Sequence, residues 1–230
     1  MPPGRTDEAG RLAASWVGNA DVWTRAVRDG AIPSRRAGTD AAVVEAVLTG
    51  LPPGGRVLDV GCGEGWLCRA LDALGARAHG VDASAPLVGA ARAAGGSFDV
   101  VSYAEAADEP GRLGGPYDAA VFNFALLSDD AIGVLRAAAR QLAPGGRVVV
   151  QTVHPLAAGP PYRDGWREET FAAFGDGFEP MPWYFRTLGS WVRVVDAAGL
   201  RITALAEPQP EGAELPLSLV LTAEPLAEAF

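Results

Sequence analysis

Arg56-Val57-Leu58-Asp59-Val60-Gly61-Cys62-Gly63-Glu64-Gly65 is the stretch from which the rest of the chain can be read. Val57, Leu58 and Val60 form the short apolar run of a buried parallel strand. Gly61, Gly63 and Gly65 follow at alternate positions and predict a tight turn into a helix that starts near Glu64 or Gly65. Glycine in such a turn admits backbone angles that a Cβ forbids and lets the backbone approach a ligand closely. The helix N-terminus behind it adds free N–H groups. Strand, turn and helix together make a ligand cradle. A dinucleotide fingerprint, G-x-G-x-x-G, would place its third glycine at position 66, which is Trp66. The spacing here is Asp-x-Gly-x-Gly-x-Gly.

Downstream, helices and strands alternate. Residues 66–74 read as a helix and 76–81 as a second strand, with Asp82 and Ala83 at its C-terminal end. An acid there, roughly twenty residues past the glycines, can accept hydrogen bonds from both hydroxyls of a ribose. It can equally cap the next helix, predicted over 85–94. Residues 98–101 form a short third strand, followed by Ser102-Tyr103-Ala104-Glu105. Residues 117–124 form a fourth, ending in Asn123 and Phe124, where ligands gather in open parallel sheets. A helix over 131–142 stops at Ala143-Pro144-Gly145-Gly146, and 147–153 is the fifth strand. A helix over 187–198 and strands over 200–205 and 217–222 complete the chain.

The run Val57-Leu58-Asp59 with its glycine turn, Asp82, and Leu142-x-Pro144-Gly145-Gly146 before an apolar strand resemble class I S-adenosylmethionine-dependent methyltransferases, in order over roughly residues 40–225. The resemblance implies an α/β fold. It is a Rossmann-like three-layer sandwich with a seven-stranded, mostly parallel sheet and a C-terminal antiparallel hairpin. It also implies S-adenosylmethionine as cofactor. Asp59 would lie near the amino-acid part of that molecule, with Gly61, Gly63 and Gly65 making room for it. Asp82 and Ala83 would sit at its ribose. Where the family often carries an Asp for the adenine, this chain has Tyr103 and Ala104. Asn123 and Phe124 would face the methyl group and the acceptor.

Two segments lie outside that frame. Residues 6–29 are predicted helical, with Trp16, Ala20, Trp23 and Val27 on one face, and a second helix is predicted over 40–48. Residues 1–50 are read as a helical lid and 51–230 as the methyltransferase domain. Trp23 serves either core packing or a lid over the cofactor. Arg36, with Arg35 beside it, either pairs with the cofactor carboxylate or is solvated. Residues 154–186 form an insertion rich in proline, glycine and aromatics, read as a substrate cap with some short helix. Tyr162, Trp183 and Tyr184 would make walls for a flat organic acceptor. Arg186 would hold a carboxylate or form a surface pair. His154, at the ligand end of the fifth strand, is the candidate general base, with an ordinary pKa near 6.5. The competing reading of His154-Pro155 is a structural turn.

Composition narrows the partners. The formal net charge is −9 over 230 residues, which argues against general nucleic-acid binding. The two cysteines, Cys62 and Cys68, read as reduced, buried residues of a cytoplasmic protein. With only His79 and His154 to join them, no metal is expected. No apolar run reaches membrane-spanning length. The Ala-, Gly- and Arg-rich composition suggests a bacterial gene. The expected function is methyl transfer to an O, N or C atom of a small organic acceptor, possible in secondary metabolism, by a monomer or homodimer. Alternatives are cyclisation of the cofactor's own chain without methyl transfer and a non-catalytic, cofactor-binding regulator. A hydride-transferring dehydrogenase is set back by the glycine spacing.

Overall fold

A computed structural model describes residues 7–227. Helices α1 (Glu8–Gly18) and α2 (Ala20–Arg28) precede a π-helical turn, Arg35–Thr39, and α3 (Asp40–Leu48). The alternating part runs β1 (Arg56–Val60), α4 (Trp66–Ala73), β2 (Arg77–Asp82), α5 (Ala85–Ala93), β3 (Ser97–Val100), α6 (Tyr103–Asp108), β4 (Tyr117–Asn123), α7 (Ile132–Ala139) and β5 (Leu142–Val153). A hairpin of β6 (Gly165–Glu169) and β7 (Met181–Phe185) follows, then α8 (Leu188–Ala197), β8 (Leu200–Ala206) and β9 (Ser218–Pro225).

The seven-stranded sheet has the order β3-β2-β1-β4-β5-β9-β8. Strands β1 to β5 are parallel; β9 runs antiparallel to both β5 and β8. Strand order therefore reverses between β1 and β4. In such sheets the crevice at the carboxyl ends of the two diverging strands is where ligands bind. Asp59 and Asn123 stand there.

Both faces of the sheet are buried, which is why the strands read as continuous apolar runs. Leu58, Ala120, Phe122, Val148 and Val150 pack with Leu135, Trp191 and Leu221 on one face. Val57, Ala119, Val121 and Val149 pack with Val43, Val47, Leu67 and Leu71 on the other. The alternation along each strand is the two-residue period of the pleat.

Three expectations change. The 154–186 insertion holds a β-hairpin and no helix. Pro144-Gly145-Gly146 lies inside β5, where the register with β4 shifts between Tyr117 and Ala119. The single helix expected over 6–29 is two helices, broken at Asn19; its expected start, Thr6, lies outside the described residues. Asn19 is buried and its amide is spent across the chain: Nδ2 donates to the Glu179 carbonyl at 3.0 Å and Oδ1 accepts the Glu179 N–H at 2.8 Å. Those two bonds pin the α1–α2 junction to the insertion. Beside them Leu12, Leu127, Phe171 and Met181 form a third apolar cluster, with Trp16, Trp23 and Trp183 against it.

Candidate active site

The glycines of the turn have different tasks. Gly61 has φ +80°, and a Cβ on it would lie 2.5 Å from the Ala125 Cβ and 2.9 Å from the Tyr103 hydroxyl oxygen. The loop after β4 thus closes directly onto the turn, with the Tyr103 hydroxyl donating to the Ala125 carbonyl at 3.0 Å. Gly63 contributes its N–H, which donates to Asp82 Oδ2 at 2.9 Å. Gly65 faces away from the ligand side. A Cβ there would meet the Phe98 ring at 2.5 Å, so its glycine serves helix-to-sheet packing.

Three acids surround the turn. Asp59 is buried and, among the described residues, accepts only a weak 3.6 Å bond from the Cys68 thiol, with no partner for Oδ1. Burial pushes its pKa up to about 7; the Cys68 bond works against that rise, and Asp82 adds to it. Asp82 Oδ1 accepts the Ser84 N–H at 2.8 Å in a local turn; Ser84, not Asp82, is the N-cap of α5, and the carboxylate lines the cavity. Burial raises its pKa as well, opposed by its bonds to the Ser84 and Gly63 N–H groups. Sequence reasoning passed over the third acid, Glu64. Its buried carboxylate pairs with Arg69 at 2.7 Å and with Arg28 of α2 at 3.1 Å, so it ties the lid to the turn.

A cavity of about 810 Å³ opens over this turn. On its sheet side it is lined by Asp59, Gly61, Gly63, Asp82, Ala83, Tyr103 and Ala104, with Asn123 and Phe124 at the end of β4. Asn123 Oδ1 is buried without a partner, and Phe124 is held at φ +51°, a costly conformation for a residue with a Cβ. Trp23 and Trp183 line the cavity from the lid and the insertion. Trp16, Phe171, Phe174 and Met181 join them. The helical spacing marks Trp16 and the insertion's composition marks its aromatics, but only tertiary packing brings these four together.

Several predicted residues lie elsewhere. Arg36 does not line the cavity; its guanidinium donates to the Gly30 carbonyl. Its neighbour Arg35 does, with Nε 2.8 and 3.0 Å from the two Asp40 oxygens and its guanidinium 4.1 Å from the Trp66 ring centre. Tyr162 is half exposed and its hydroxyl accepts the Leu188 N–H at 3.1 Å. Tyr184 points to the other face of the hairpin, edge-on to Trp166. Arg186 is buried outside the cavity lining and donates to the Leu126 and Ser128 carbonyls, fixing the loop after β4.

His154 needs the largest correction. Its ring is buried outside the cavity lining, with Nε2 2.8 Å from Glu207 Oε1 and Nδ1 accepting the Leu156 N–H at 3.2 Å. An Nδ1 that accepts places the ring proton on Nε2, toward Glu207, so no lone pair remains for an acceptor's proton. His154→Ala is expected to lower stability by about 1–2 kcal/mol through loss of a buried ring and its bonds to Glu207 and the Leu156 N–H. Turnover per folded molecule and its pH profile should stay unchanged. A lost kinetic pKa in the variant would restore His154 as the base.

With the glycine turn, its acids and the cavity in place, the chain's relatives can be weighed. The methyltransferase domain family matches residues 35–205. The chain belongs to this family. It is similar to protein-L-isoaspartate O-methyltransferase of Methylorubrum populi, with 34% identity over 155 residues, 65% of this chain and 71% of that protein. Its fold matches the CcbJ methyltransferase of Streptomyces caelestis at 21% identity and TM-score 0.67, over 93% of this chain and 98% of the other. It also matches the magnesium protoporphyrin IX methyltransferase of Synechocystis PCC 6803, whose structure holds bound S-adenosylmethionine, at 18% identity and TM-score 0.67, over 98% and 100%. The protein is a class I S-adenosylmethionine-dependent methyltransferase. Its crevice suits that cofactor: the buried oxygens lacking partners, Asp59 Oδ1 and Asn123 Oδ1, are acceptors, and the cofactor brings an ammonium and hydroxyl donors.

Proposed function

We propose that this methyltransferase acts on a small organic acceptor held under the lid, and the observation that carries this is the cavity itself. At about 810 Å³ it continues from the glycine turn to an aromatic wall built by α1, α2 and the insertion. Such volumes, roughly 300–1,000 Å³, are typical of cofactor and small-molecule sites. The Asn19–Glu179 bonds and the aromatic cluster hold that wall over the crevice. A polymer would need an open groove in its place. Among the described residues no helix is long and apolar enough to cross a membrane.

In this reading Asp59 receives the cofactor ammonium, Asp82 the ribose hydroxyls, and Arg35 lies at the carboxylate in place of Arg36. Tyr103 and Ala104 flank the adenine, and Asn123 and Phe124 border the acceptor. Bound there, the cofactor supplies an electrophilic methyl on a sulfonium. The protein's contribution is proximity and orientation. Helices α1 and α2 and residues 154–186 serve as the two halves of one cover, whereas α3 of the expected lid packs on the sheet.

Asp59 makes cofactor affinity pH-dependent. Its raised pKa of about 7 means that the free protein holds a proton there below neutrality. An ammonium needs the ionised carboxylate, so binding must expel that proton. Affinity for S-adenosylhomocysteine should therefore fall about tenfold per pH unit below 7 and level off above it. Calorimetry from pH 5.5 to 8.5 measures this, and a flat profile would remove Asp59 from the amino site. Asp59→Asn should bind weakly at every pH.

The direct test of function is methyl-labelled S-adenosylmethionine in a concentrated extract of the source cells. Label in the small-molecule fraction, with S-adenosylhomocysteine formed, is the expected result. Label in protein or nucleic acid would overturn the acceptor class, and cofactor consumed without either product would point to cyclisation.

A further inference from the structure

The acceptor end of the cavity has a charge pattern that selects among small molecules. Its outer wall is the β6–β7 hairpin, mainly one face of it, with the exposed Glu168 of the other face at the rim. Arg167 pairs with Trp183 and Glu169 with Met181, and these four residues all line the cavity. The two cations of the lining are both engaged. Arg35 is held by Asp40. Arg167 turns its terminal nitrogens to the carbonyls of Ala158, Gly159 and Pro161, with its guanidinium 3.6 Å from the Phe185 ring centre.

Glu169 is positioned differently. Oε1 accepts the Phe171 N–H at 2.7 Å, which fixes the side chain at the end of β6. No described residue bonds Oε2. Phe171 itself is buried at φ +57° beneath Trp23 and lines the same cavity. A carboxylate with one oxygen anchored and one open lines the cavity with indole and phenyl rings, beside an Arg167 whose hydrogen bonds go to backbone carbonyls. Aromatic faces and a carboxylate both attract a cation, while the Arg167 donors that would meet an anionic acceptor are taken up by backbone carbonyls.

We infer that the acceptor carries a cationic amine on an apolar or aromatic skeleton, and that Glu169 is the residue that selects it. This rests on the small-molecule methyltransferase reading and narrows it. The amine is the recognition group; the methylated atom can be that nitrogen or another.

The test uses the full chain saturated with S-adenosylhomocysteine and three probes of one shape: phenethylamine, 2-phenylethanol and 3-phenylpropionate. Ligand-observed NMR titration at pH 7 gives each affinity. The amine should bind about tenfold tighter than the alcohol, with the acid weakest, as a charge-assisted contact requires. Glu169→Gln keeps an oxygen for the Phe171 N–H and removes only the charge. It should level the amine and the alcohol while leaving S-adenosylhomocysteine affinity unchanged, which also reports that the variant is folded. No binding by the amine, equal or tighter binding of the alcohol or acid, or a preference that survives Glu169→Gln overturns the inference. Failure of the wild type to bind S-adenosylhomocysteine would strike the methyltransferase site itself.

Discussion

Gly61→Ala is expected to abolish cofactor binding and to cost about 2–5 kcal/mol of stability, the sum of a left-handed backbone at a residue with a Cβ and an overpacked contact. Both causes are local and explicit. The residue sits at φ +80°, and the new methyl would lie 2.5 Å from the Ala125 Cβ and 2.9 Å from the Tyr103 oxygen. Relief requires the loop after β4 to withdraw, and that loop is pinned by Arg186 through the Leu126 and Ser128 carbonyls. It also carries the Ala125 carbonyl that holds Tyr103. The strain therefore spreads into the cavity wall. Urea denaturation and S-adenosylhomocysteine calorimetry measure the two effects. Gly89→Ala is the control: Gly89 lies in α5 with nothing within 4 Å of its Cβ position. There alanine should stabilise by about 0.5–1 kcal/mol. If Gly61→Ala binds cofactor normally, the close approach of turn and loop is not what shapes the cradle.

Asp82→Ala should weaken S-adenosylhomocysteine binding about 100-fold or more, since charged-acceptor hydrogen bonds contribute about 1.5–3 kcal/mol each. Part of the loss comes through the protein. The carboxylate holds the Gly63 N–H at 2.9 Å and the Ser84 N–H at 2.8 Å, coupling the turn after β1 to the start of α5. Asp82→Asn separates the contributions. It retains one acceptor oxygen for Ser84 and presents an amide to the Gly63 N–H, so it should be more stable than the alanine variant yet still bind poorly. Near-normal affinity in the alanine variant would count against the ribose assignment.

Asp82, Asp59 and the glycine turn were legible because their information is short-range. A strand that ends in an acid and turns on alternate glycines puts those groups at one sheet edge whatever surrounds it. The alternation of strands and helices then places that edge beside β4, so Asn123 and Phe124 followed from order alone. Direction was another matter. Arg35 and Arg36 are neighbours of the same type, yet one enters the cavity and the other bonds the Gly30 carbonyl. Trp183 and Tyr184 differ in the same way, because adjacent residues of a strand face opposite sides and only the β6–β7 register says which side is inner.

The place of Glu169 and Phe171 beside Trp16 was not legible for a related reason. Trp16 lies about 150 residues before the other two, and the three form a wall only once Asn19 has clasped Glu179. His154 stands at the strand end where a base was expected, but Glu207, 53 residues later, claims its ring. By itself the sequence determined the strands and the cradle, since hydrophobic period and glycine spacing act over a few residues, and its resemblance to a known family implied the sheet and the cofactor. Only the tertiary structure decided which polar groups remain open to an acceptor, because that depends on partners supplied from distant parts of the chain.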